Sequence, residues 1–224
     1  MGMSLALTRA IAVACVALIT ASCGGTVGSG AASTPEPASG GPAAPSVRAG
    51  APVVLWPAPS DPSERAVAAG LELEPEEGSS NHAHSHLDVF IDGQEILVPA
   101  GIGINVEDPE VQYFADVRSY GGIQQCDQPC ISPLHTHDET GVLHTESEES
   151  ETHSLGQFFT EWGVELSETC VGEHCAPTPI VVYVGGQPFS GDPRTIALTD
   201  QKVIVIVVGT PPAEIPSTFD FSNA

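Results

Sequence analysis

Polar and apolar positions alternate over His82-Ala83-His84-Ser85-His86-Leu87-Asp88-Val89-Phe90-Ile91, which is the period of a strand whose two faces differ. The alternation puts His82, His84, His86 and Asp88 on one face and Leu87, Val89 and Ile91 on the other. Asp92-Gly93 is a hairpin turn signal, so residues 94–98 return as the partner strand. A second hairpin is predicted at Leu134-His135-Thr136-His137, with Asp138-Glu139-Thr140-Gly141 at the reversal and Val142-Leu143-His144 returning. If Asp138 faces Gly141, then His135 faces His144, and His135, His137 and His144 project from one side. A slip of one residue would turn His144 away from the other two.

The period changes to that of a helix at Leu155, Phe158, Phe159 and Trp162, spaced i, i+3, i+4 and i+7. Ser154 and Gln157 fit a capping box ahead of it and Gly163 supplies the stop, so these aromatics read as core. A shorter helix is expected over Pro62–Ala69, with Asp61 as N-cap, Pro62 at the first position and Gly70 at the end. Residues 99–125 are irregular and glycine-rich and are expected to wrap the domain edge. Ile180–Val184, the Gly185-Gly186 turn and residues 187–189 make a third hairpin, and the β-branched run Lys202–Val208 suits a central, buried strand. These elements add up to an α+β domain: a small mixed or antiparallel sheet with one amphipathic helix, in an order that resembles a β-grasp.

The ends of the chain read differently. Arg9 precedes an apolar run over residues 10–19, too short for a membrane span and suited to a secretory signal. Thr20-Ala21-Ser22-Cys23 resembles a bacterial lipobox, which implies a signal peptide over 1–22, lipidation of Cys23 and an extracytoplasmic, membrane-anchored protein. If the lipobox is not used, the protein is secreted. Residues 23–60 are rich in Gly, Ala, Pro and Ser and read as a disordered tether. Within it, Val53-Val54-Leu55-Trp56 is an apolar island that either docks on the domain or stays a sticky patch. A helical lead-in over 61–78, a histidine-rich domain over 79–212 and a tail over 213–224 complete the division.

Composition narrows the chemistry. The chain has 6 basic and 29 acidic residues, a formal charge of −23, which repels nucleic acid and concentrates cations. Cys15 leaves with the signal and Cys23 takes lipid, so Cys126, Cys130, Cys170 and Cys175 remain in an oxidising compartment and favour two disulfides. Pairing 126 with 130 and 170 with 175 is the simplest of three possibilities; the others tie the two loops together.

Six of the 8 histidines fall in the two strand segments, and strands distant in sequence can lie side by side. A shared transition-metal site follows, with His84, His86, His135, His137 and His144 as ligands and His82, Asp88, Asp138 and Glu146 as additional or supporting groups. Glu146 lies on the His144 face but belongs to an acidic run that ordinarily faces solvent, and it reads as a surface charge. His153 and His174 read as surface residues too.

The motifs His84-x-His86-Leu87-Asp88-x-Phe90-Ile91-x-Gly93, Leu134-His135-Thr136-His137-Asp138 with Gly141-Val142-Leu143-His144, and Leu155-Gly156-Gln157-Phe158-Phe159 resemble a family of exported prokaryotic proteins over residues 79–212. The resemblance implies the domain limits and the importance of the histidines, and no particular chemistry.

Signatures of a nucleophile elbow, a phosphate loop and an H-E-x-x-H helix are missing. Imidazoles with nearby carboxylates suit Zn(II) or Cu(II), and the affinity order favours copper. The leading reading is therefore an anchored protein that captures, buffers or delivers a metal ion. The alternatives are a metal-dependent enzyme with Glu146 or Asp138 as base, and a metal-free interaction module. No protein partner is legible.

Overall fold

The computed structural model describes residues 50–148 and 150–223. The expected signal peptide, the lipid-bearing Cys23 and most of the tether lie outside the described residues. In chain order the elements are α1 (Pro62–Ala69), β1 (Asn81–Ile91), β2 (Gln94–Ile96), β3 (Tyr113–Phe114), β4 (Ser119–Tyr120), β5 (Leu134–His135), β6 (Val142–Ser147), α2 (Leu155–Trp162), β7 (Cys170–Val171), β8 (His174–Cys175), β9 (Ile180–Val184), β10 (Gln187–Pro188) and β11 (Lys202–Val208). Among the described residues no helix is long and apolar enough to cross a membrane.

The sheet is built on β1. Along one edge it runs parallel to β11, from Ser85 opposite Lys202 to Ile91 opposite Val208. Two strands share its other edge: β2 pairs with Val89 to Ile91, and β6 pairs antiparallel with Asn81 to His86. Asp92 (φ 50°) and Gly93 (φ 78°) are both left-handed, which is what the two-residue turn between β1 and β2 requires. The order β10-β9-β11-β1-β6-β5, with β2 also on β1, makes a seven-stranded mixed sheet. This is the expected α+β arrangement with a mixed sheet, and the histidine hairpin β5–β6 lies beside the first half of β1.

The continuous apolar run of β11 is explained by cover on both faces. Ile204, Ile206 and Val208 pack with Leu87, Val89 and the α2 residues Leu155, Phe158, Phe159 and Trp162. Val203, Val205 and Val207 pack on the opposite face with Phe90, Tyr183 and Ile215, Phe219 and Phe221 of the C-terminal segment. The histidine face of β1 is thus the face that the end of the chain crosses.

Local signals are realised at α2. The Ser154 side chain accepts from the Gln157 backbone while the Gln157 side chain bonds back to Ser154, and Gly163 (φ 74°) ends the helix. Ser154→Ala is expected to cost about 1 kcal/mol. A urea midpoint lowered with an unchanged slope is the result that checks it.

At α1, Gly70 ends the helix as expected, but Asp61 makes no side-chain cap. Its carboxylate pairs instead with Arg65 one turn on, at 3.4 Å. The apolar island docks: the Val53 N–H donates to Glu95 O, and the Trp56 ring meets Trp162 edge-on at 5.7 Å. Disulfides join Cys126 to Cys130 and Cys170 to Cys175.

Candidate metal centre

Register brings the two histidine stripes together. His84 on β1 lies directly opposite His144 on β6, and His144 lies directly opposite His135 on β5. Directly opposed residues share a face, so three imidazoles form a row across three strands. The His84 and His144 ring centres are 4.5 Å apart, and His135 stacks on His144 at 5.3 Å.

His137 reaches the row by a bend rather than by strand alternation. Thr136, fully buried, donates its hydroxyl to Pro99 O (2.8 Å) and accepts from Ile102 N (3.1 Å), which ties it to the glycine-rich loop and ends β5 there. The chain turns, and the His137 ring stands edge-on to both His135 (4.8 Å) and His144 (4.6 Å).

Hydrogen bonds fix which nitrogen of each ring is bare. His135 Nδ1 donates to Ser132 O (2.8 Å), His137 Nδ1 to Tyr120 O (3.2 Å) and His144 Nδ1 to Glu146 Oε1 (3.0 Å). Carbonyl and carboxylate oxygens only accept, so each Nδ1 carries the proton and each Nε2 presents a lone pair. His135 Nε2 and His137 Nε2 then face each other at 3.1 Å. The ligating atoms of His135, His137 and His144 lie within 4.8 Å of one another.

Burial keeps His135 and His137 neutral. It holds the His135 pKa well below the ordinary range, and repulsion from His137 and His144 adds to the effect. Burial and then repulsion from His144 bring His137 down to about 4.

Two carboxylates adjoin the rings. Glu146 is 4 % exposed, contrary to its expected place on the surface. It shares the His144 face of β6, and β5 closes the sheet edge over it, with Glu146 N donating to Pro133 O. Burial alone would raise its pKa, but the hydrogen bond from His144 and the neighbouring His84 and His135 rings outweigh this and lower it. Its Oε1 also lies 3.4 Å from His82 Nε2 and 3.9 Å from His84 Nε2.

Glu77, which no sequence signal marked, puts Oε1 3.4 Å from His137 Nε2. It comes from the acidic lead-in, where no periodicity distinguishes it from its neighbours. Burial raises its pKa, a hydrogen bond from Ile123 N opposes this, and the Glu146 charge raises it further.

Other sequence candidates lie apart from this cluster. His86 gives Nε2 to Thr140 O (2.8 Å) and stacks on Phe219 at 3.8 Å. Asp88 sits 3.5 Å from His86 Nδ1, and Asp138 closes a local turn onto Thr140. His153, expected on the surface, is buried, and burial lowers its pKa. Asp108, Cys126 and Cys130 also converge, but disulfide sulfurs are not thiolates and offer no ligand charge.

Beside the rings opens a cavity of about 330 Å³, lined by Tyr120, His137, Thr140, His144, Phe219 and Asp220 among others. The described residues thus contain histidine and glutamate groupings that could hold a transition-metal ion. Comparison with protein-family models, with curated proteins and with solved structures finds no match, so it is the geometry of these groupings that bears on function.

Proposed function

We propose that this is an exported, lipid-anchored metal-binding protein whose cargo, Zn(II) or Cu(II), is held by His135, His137 and His144 for capture, buffering or delivery. The observation that carries the reading is the opposed pair of Nε2 lone pairs, 3.1 Å apart in a buried site, with both Nδ1 protons committed to carbonyls. Two bare acceptors at that distance repel each other unless an electrophile lies between them. Backbone acceptors behind ligating imidazoles are the usual way of fixing ring orientation at metal sites. Imidazole and carboxylate donors fit both ions, and copper binds more tightly where both are available. Export and anchoring through Cys23 rest on the signal-like N-terminus and the cysteine pairing.

The test is metal content in the full chain, exported, purified without a histidine tag and compared with the H135A/H137A variant. Stoichiometric copper or zinc is expected in the parent. The variant is expected to lose at least one equivalent, together with the rise in melting temperature that the ion confers on the parent. Equal metal content and equal thermal shift in the two proteins would reject the reading. Acidification should release the ion, because protons compete for the same Nε2 atoms.

The cavity beside His137 and His144 favours a second reading, a metal-dependent enzyme. There a bound ion would supply Lewis acidity and an activated water. Glu77 and Glu146 would be the groups placed to hold a proton near it, in preference to Asp138, whose carboxylate faces its own turn.

A further inference from the structure

We propose that the histidine face holds a second divalent metal ion, ligated by His82 Nε2, His84 Nε2 and the Glu146 carboxylate and coupled to the first through the Glu146–His144 hydrogen bond. The inference rests on the reading of His135, His137 and His144 as a metal site and extends it to a metal pair.

The geometry is that of a ligand set. Four ligands arranged tetrahedrally at about 2.1 Å from an ion stand about 3.4 Å from one another. The three edges here are 2.9 Å between His82 Nε2 and His84 Nε2, and 3.4 and 3.9 Å from these atoms to Glu146 Oε1. They bracket the tetrahedral edge without any rearrangement of the backbone. Alternation along β1 supplies two of the ligands and the β1–β6 register supplies the third, because His82 lies directly opposite Glu146.

Charge points the same way. The Glu146 side chain is buried, and among the described residues its ion-pairing partners are histidines only. Those histidines are the ligand candidates themselves, so no Lys or Arg neutralises it. A buried carboxylate is ordinarily matched by a cation or a metal. Glu77 places another carboxylate at the same cluster, 3.4 Å from His137. The two sets also differ in access. The His82 side chain is 55 % exposed, whereas His135 is fully buried, so the outer ion would keep positions open to solvent while the inner one is enclosed.

Glu146 has a distinct part in each set. It ligates the outer ion directly and orients the ring of His144, an inner ligand, by accepting its Nδ1 proton. Removing the carboxylate therefore weakens both positions, whereas removing His82 and His84 removes one.

Isothermal titration of the chelator-stripped full chain with Zn(II) tests this, using the parent, H82A/H84A, H135A/H137A and Glu146→Gln. Two equivalents are expected in the parent and one in each double-histidine variant. Glu146→Gln is expected to weaken both steps at least tenfold. His82 is on the rim and His84 is mostly buried, and a far-UV spectrum and melting temperature matching the metal-free parent will establish that H82A/H84A folds. A single equivalent in the parent, retained in H82A/H84A and lost in H135A/H137A, overturns the second site and leaves the first standing. Two equivalents retained in H82A/H84A also overturn it. No uptake by the parent overturns both.

Discussion

Glu161→Gln is expected to stabilise the protein at pH 8 relative to the parent and to do so far less at pH 5. Glu161 lies on α2, 1 % exposed, and neither carboxylate oxygen reaches hydrogen-bonding geometry. Burial raises its pKa from 4.5 to about 8, and the nearby Ser132 hydroxyl offsets only part of that. A carboxyl whose pKa is raised in the folded state binds its proton more tightly there than in the unfolded chain. Its contribution is therefore fully present below the ordinary pKa and is eroded as pH climbs towards the folded-state value.

One pH unit inside that window is worth about 1.4 kcal/mol. Between pH 5 and pH 8 the parent should lose roughly 3 kcal/mol from this group alone. The amide keeps the shape and cannot ionise, so it escapes the loss, though its own donors remain poorly paired and cost something at every pH. The measurement is urea unfolding of both proteins at the two pH values. Every other titrating group is common to them and cancels in the difference. A difference that does not move with pH would mean that Glu161 is already paired or neutralised in the fold.

The second large effect is expected at Gly103, where a methyl group should both unfold the protein more easily and displace His135, a ligand of the proposed metal site. Gly103 has φ +72°, and a Cβ there would lie 2.4 Å from Leu134 O and 3.1 Å from His135 Cβ. The obstacle is the backbone of β5, which cannot swing aside as a flexible side chain can. Gly103→Ala therefore adds a steric push on β5 to the cost of a left-handed alanine, for a total of roughly 2–4 kcal/mol.

Gly70→Ala separates the two contributions. Gly70 has nearly the same φ, +74°, with nothing within 4 Å of the added carbon, so only about 1 kcal/mol should be lost there. Metal affinity should fall at least tenfold in Gly103→Ala and stay unchanged in Gly70→Ala. Equal effects at the two positions would show that the loop behind β5 does not position His135.

Local signals were legible in the sequence. The alternation around His84 carried facing, and the hairpin around His144 carried the pairing of His135 with His144, because a strand's period is fixed by covalent geometry and the turn sets which residues oppose. The capping box at Ser154 and Gln157 was equally local, and the helix formed where it was expected.

Whatever depends on contacts between segments was hidden. His137 joins the cluster because Thr136 is bonded to Pro99 and Ile102, a contact no periodicity announces. His86 shares the stripe, yet Thr140 O and Phe219 hold it elsewhere, and the second of these arrives from the far end of the chain. Glu146 looked like one more solvated acid in an acidic run; its burial follows from the cover that β5 and its flanking loop give to β6. Glu77 stands in a stretch of similar acids and is singled out by tertiary approach alone.

The pairing of β1 with β11 has a consequence for how the molecule is made. The two central strands are the first and last long strands in the chain, so β1 has no parallel neighbour until nearly the whole domain has been synthesised. Pairings between such distant segments form slowly, because the loop between them must be closed first. Phe219 and Phe221, which close the histidine face, come later still. A chain threaded across a membrane from its N-terminus would reach the far side with its imidazoles already there and the enclosure around them unmade. Loading with metal would then be settled by the ions present in the compartment of arrival and not in the one where translation began.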